Sequence, residues 1–245
     1  MTTAALTRPG LPRLAAVELR KSADTRAGFW LLVVIALLAA AVVVLQLVFG
    51  TDDEAHLAPL LRSTVEIMAL ILPVLGILLV TSEWSQRTGL TTFALVPVRE
   101  RVIAAKVIGA AVLTLAALAA GLVIAAIGNA VAGGDWSLGL GELGRFTLYE
   151  LIGVLGGVAF GLAFMSSALA IVMYFVIPIG WSILGETISA LDKPADWLDA
   201  SRPMMALIEG GMTGTEWVQL GTATAVWVGL VLAIGLVRLH RTEVT

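Results

Sequence analysis

From Ala27 to Thr51 the chain runs 25 residues without a charged side chain. A helix rises about 1.5 Å per residue, so roughly 20 such residues cross the hydrocarbon core of a bilayer. The pattern recurs. Residues 63–82 carry only Glu66, residues 107–134 carry no charge in 28 positions, and residues 217–237 carry none. Residues 146–185 form a 40-residue stretch with Glu150 as its single charge. That is about twice one span, and it predicts two crossings joined by a tight turn near Ser166–Ser167. The composition agrees, with 59% hydrophobic and 13% charged residues and a mean hydropathy of +0.97. Soluble domains carry about a quarter charged residues. A disordered chain is excluded and a soluble one is disfavoured. The expected fold is an all-α membrane protein of six transmembrane helices, at about 27–50, 63–82, 103–131, 146–165, 168–186 and 217–237.

Basic residues concentrate on cytoplasmic flanks. With the N-terminus inside, eleven of the 15 Lys and Arg residues lie on inner segments, among them Arg8, Arg13, Arg20, Lys21, Arg26, Arg87 and Arg238. Arg62, Arg145, Lys193 and Arg202, four in all, lie on outer ones. This asymmetry places both termini in the cytoplasm. Reading 146–185 as one crossing would instead put the basic tail, 238–245, outside. Residues 1–26 are expected to be retained, because the apolar run after them exceeds a signal-peptide core.

Three segments outside the spans remain. Within 1–26, Leu11, Leu14, Ala15 and Leu19 share a helix side, interrupted by Glu18, with Arg13 and Arg20 opposite. This resembles an amphipathic interfacial helix, although a solvated basic leader near anionic lipid also accounts for the charges. In the inner loop 83–101, Leu90, Phe93, Ala94 and Pro97 share a helix face, and Arg99, Glu100 and Arg101 follow. A short docking helix and a plain basic loop both satisfy that pattern. The outer segment 187–216 mixes Asp192, Asp196 and Asp199 with Trp197, Leu198, Met204, Met205 and Leu207, next to Pro203. It reads either as short helices dipping into the interface or as a plain loop.

The inner loop is also where the chain resembles a known family. Glu83, Arg87-Thr88-Gly89, Thr91, Pro97, Arg99 and Arg101, between the second and third of six crossings, resemble the cytoplasmic signature of ABC-2 type transporter permeases. One departure is that many members have Gly-Thr where this chain has Thr88-Gly89. The resemblance implies an N-terminal amphipathic helix, a coupling helix in the inner loop, and re-entrant helices in the outer segment. Trp197, Pro203, Met204 and Met205 would then be outer-gate candidates. It further implies a second permease copy, as a homodimer or with a related permease, and two separate ABC ATPase subunits that supply ATP and Mg. Glu83 and Arg87 would anchor the coupling loop, Leu90 and Phe93 would fill an apolar groove in the ATPase, and Arg99 and Arg101 would meet its acidic rim.

The spans contain little chemistry. Gly153, Gly157 and Gly161 stand four apart on one face of the fourth crossing, as close helix packing requires. Pro73 with Gly76 and Pro178 with Gly180 mark bends. Glu66, Glu150 and Glu186 fall near outer span ends, where solvation at the headgroups is the expected account, and Lys106 is expected to reach the inner headgroups. There is no cysteine, and the two histidines, His56 and His240, lie in an outer loop and in the tail. Walker A, His-Glu-x-x-His and Gly-x-Ser-x-Gly motifs are absent, so neither nucleotide hydrolysis nor a serine triad is expected in this chain. No metal or cofactor is expected in it, and no nucleic acid as partner. The expected function is the permease subunit of an ATP-driven exporter of hydrophobic or amphiphilic cargo, a drug, peptide antibiotic or lipid-like molecule. The setting would be a bacterial cell membrane, in keeping with an excess of arginine over lysine. The alternatives are an ATPase-independent carrier or channel and a non-transporting scaffold or immunity protein.

Overall fold

The computed structural model describes residues 10–51, 54–85 and 99–241. Among these, every regular element is helical: α1 (Leu11–Asp24), α2 (Arg26–Phe49), α3 (Leu57–Ser85), α4 (Arg99–Ala132), α5 (Leu140–Phe164), α6 (Ser167–Thr187), α7 (Asp192–Leu198), α8 (Ser201–Glu209), α9 (Gly214–Thr224) and α10 (Val231–Arg241). A π-helical turn, Ala225–Leu230, joins α9 to α10 and makes them one span. Six helices are long and apolar enough to cross a membrane: α2, α3, α4, α5, α6 and α9–α10.

Local chemistry sets the breaks. Thr25 is extended, and its hydroxyl accepts from the Gly28 backbone N–H at 3.2 Å, ending α1 and capping α2. Thr213 does the same for α9 in a reciprocal arrangement with Glu216. The hairpin between α5 and α6 needs only Met165 and Ser166. Met165 takes a left-handed conformation with φ 52°, and its N–H caps the Gly161 carbonyl at 2.9 Å.

In a bilayer, apolar helices gain nothing by leaving lipid for one another, so small residues and close backbone approach decide which faces meet. α3 and α5 form the buried axis, with 61% and 56% of their most apolar stretches covered, against 17%, 11% and 17% for α2, α6 and α9–α10. A methyl group added at Gly157 would sit 2.1 Å from the Pro73 carbonyl oxygen, and one at Gly76 would sit 2.7 Å from the Val154 carbonyl oxygen. α4 meets α2 at Gly128, where the same addition would fall 2.4 Å from Val43. Leu72, Leu75, Val154, Val158 and Leu162 fill the centre of this packing. A second apolar cluster, with Leu60, Leu61, Val65, Phe146 and Ile208, lies toward the opposite end and brings α8 onto α5.

At that opposite end the connections are tied together: Asp135 N–H donates to His56 Nδ1 at 2.9 Å, and Leu57 N–H to the Asp135 carbonyl at 3.2 Å. Asp135 itself is held below the ordinary carboxylate range by the Ser137 hydroxyl, which donates to it.

Candidate functional site

α1 lies against α4 because one of its faces is smooth. Ala15 is buried, and Gly109 of α4 leaves room for the Glu18 side chain, whose Cβ would sit 3.6 Å from an added methyl. That contact brings a carboxylate into the interior, where a lone charge is costly unless it is paired. Lys106 of α4, one turn before Gly109, provides the pair. It is fully buried, and its Nζ donates to Glu18 Oε2 at 2.6 Å and to the Leu79 carbonyl of α3 at 2.9 Å.

Glu83, one turn beyond Leu79 on α3, completes the cluster. Its Oε1 lies 3.3 Å from Lys106 Nζ and 3.6 Å from Lys21 Nζ. Lys21 also donates to Glu18 Oε1 at 2.9 Å. Two carboxylates therefore face two ammonium groups, so the cluster is neutral as a whole and only Lys21 reaches solvent, at 47% exposure. Burial pulls the Lys21 pKa down, but the hydrogen bond and charge of Glu18, with Glu83 adding to them, outweigh it and hold it above the ordinary lysine value. The carboxylate of Glu83 accepts no hydrogen bond among the described residues and is held by charge alone.

The same end of the bundle is cross-linked elsewhere. Thr81 of α3 and Ser167 of α6 share a 2.7 Å hydrogen bond. Arg238 of α10 donates to the Ala163 carbonyl at 2.7 Å, satisfying one of the last carbonyls of α5. His240 lies 3.3 Å from Glu100 in the first turn of α4.

Of the sequence candidates for coupling, Glu83 belongs to this cluster. Arg99 opens α4, and Arg101, half-buried, sits in its first turn. Arg87, Thr88, Gly89, Leu90, Phe93 and Pro97 lie outside the described residues. Gly153, Gly157 and Gly161 all face α3: added methyls would meet Pro73 Cγ at 3.5 Å, the Pro73 carbonyl oxygen at 2.1 Å and the Ile77 carbonyl oxygen at 3.1 Å. At the other end, Trp197 is exposed on α7, while α8 buries Pro203, half-buries Met204 and exposes Met205.

Two placements differ from the expectation of headgroup solvation. Lys106 does not reach for the interface but turns inward, because α1 covers it and brings a carboxylate. Glu150 is 1% exposed, and its Oε1 has no hydrogen-bond partner among the described residues. It stands between Phe146 and Val154 on the face of α5 that packs inward. Glu66, by contrast, is paired with Arg62 at 2.9 Å on an exposed surface, and Glu186 is exposed. Glu18, Lys21 and Lys106 were not legible as a site. The available signals were a carboxylate on the apolar side of α1 and a single lysine just before an uncharged run of 28 residues.

Comparison with known proteins adds no relative: no family model matches the chain, and no curated protein does. Among the described residues no group of His, Asp or Glu is arranged to hold a metal ion.

Proposed function

We propose that the chain is the membrane-spanning permease of an ATP-driven ABC-2 type exporter, coupled to separate ATPase subunits through the segment between α3 and α4. The observation that carries this reading is the four-charge cluster. It bolts the end of α3 and the first turns of α4 to α1, at the two ends of the segment that bears the Arg87-Thr88-Gly89 motif. A motor pushing on that segment would move α3 and α4 as one body with α1, instead of bending a loop. Two copies would enclose the pathway, and its walls, drawn from these apolar spans, suit hydrophobic or amphiphilic cargo. The cluster's end of the bundle would face the cytoplasm of a bacterial cell, with α1 along the inner leaflet.

The test is Leu90→Asp together with Phe93→Asp. The double variant should reach the membrane normally yet lose co-purification with its ATPase, and export should fall at least tenfold. Unchanged capture and export would overturn the assignment.

A carrier that works without an ATPase draws on a different observation, the buried Glu150. An intramembrane carboxyl without a partner is where carriers bind protons or cations. Reconstituted protein that moves substrate in nucleotide-free liposomes, and stops doing so as Glu150→Gln, would favour that reading.

A further inference from the structure

At the end of the bundle away from the ion cluster, two short helices that follow α6 are held very differently. α8 buries Pro203, Leu207 and Ile208, and Ile208 belongs to the apolar cluster around Phe146 of α5. α7 buries none of its described side chains. It rests on α6 where Gly185 lets Ala195 approach, and an exposed ion pair at 3.4 Å joins its Asp196 to Arg202 of α8. Exposed pairs of this kind add little. Between α6 and these two helices lies a cavity of about 190 Å³, lined by Ser182, Glu186, Asp196, Asp199 and Arg202.

Among the described residues, one firm polar attachment holds α7 to the last span. Leu198 stands in the last turn of α7, where carbonyls have no partner within the helix, and the indole N–H of Trp227 donates to its carbonyl at 2.7 Å. Trp227 sits inside the π-helical turn Ala225–Leu230. A π-turn carries one residue more than an α-turn, so its relaxation would rotate the adjoining helix by about 100° and carry the indole away from Leu198.

We propose that α7 is a movable leaf over this cavity, latched to the last span by the Trp227–Leu198 hydrogen bond and released when the π-turn relaxes. α8, pinned to α5, is the fixed base. Asp199 and Ala200, between α7 and α8, take up the motion. The device goes beyond motor coupling, because it is a property of this chain alone and operates without nucleotide.

The absence of native cysteine makes the test clean. Spin labels at Lys193→Cys on the leaf and Leu140→Cys at the start of α5 report leaf position by pulsed electron paramagnetic resonance in lipid nanodiscs. With Trp227 intact, one dominant distance is expected. Trp227→Phe keeps an aromatic ring but removes the donor, and should raise the population at a second, displaced distance about fivefold, as expected for loss of one hydrogen bond. Replacing Trp227 with benzothienylalanine, in which sulfur stands where the N–H was, preserves the shape and should give the same shift. Distance distributions that match the parent in both variants would overturn the latch.

Discussion

Lys106 is the residue on which α1, α3 and α4 converge. A buried ion pair contributes little net stability, because desolvation offsets most of the attraction, yet removing one partner leaves a charge stranded and costs about 3–5 kcal/mol. Lys106→Met leaves Glu18 and Glu83 facing Lys21 alone, so it should destabilise the protein by about that amount, read as an earlier midpoint in denaturant titration of the detergent-solubilised protein. Glu18→Gln added to Lys106→Met restores a neutral remainder, Glu83 with Lys21, and should recover a large part of the loss. Strictly additive losses would show that the two side chains do not act as a pair. None of this could be read from residue types. Lys106 at the mouth of a span suits a headgroup contact equally well until α1 is known to lie on top of it, and Glu150 suits an interfacial carboxyl until the helix face it occupies is known to point inward.

Among the elements, α3 and α5 meet through glycines at unequal distances, and the inequality is testable. Alanine at Gly157 drives a methyl against the Pro73 backbone, which cannot swing away, whereas at Gly153 the methyl meets Pro73 Cγ at ordinary contact distance. Overpacking costs about 1–3 kcal/mol. Gly157→Ala should fall at the upper end of that range, Gly161→Ala should cost less, and Gly153→Ala should be nearly neutral, measured as shifts in thermal midpoint in one detergent. A flat or reversed order would mean that α3 and α5 pack differently. The spacing of four marks a smooth helix face, but every such face looks alike in sequence. Which helix it meets, and how closely at each glycine, depends on the neighbour's backbone at Pro73 and Ile77.

Over the whole molecule, α1, the end of α3, the first turn of α4 and the end of α10 gather at one end of the bundle, and α7 and α8 at the other. The proposed function puts the first end in the cytoplasm, as the bias of Lys and Arg predicts. In sealed right-side-out vesicles, a cysteine in place of exposed Met205 should react with a membrane-impermeant maleimide added outside. One in place of Arg101 should react only after the membrane is opened. The opposite pattern would invert the topology and remove the basis for a cytosolic motor.

Six apolar runs and a tight turn near 166–167, which the structure places at Met165–Ser166, were written in the linear chain. Length against bilayer thickness and the absence of charge are local quantities, and each run must satisfy its own backbone hydrogen bonds in lipid whatever its neighbours do. Only the tertiary structure decided that Glu18, Lys21, Glu83 and Lys106 form one cluster, that Glu150 is sealed away, and that Trp227 reaches Leu198. Those facts join residues up to 88 positions apart, and charge pairing or burial is a property of the meeting between helices, which no single helix carries in its own sequence.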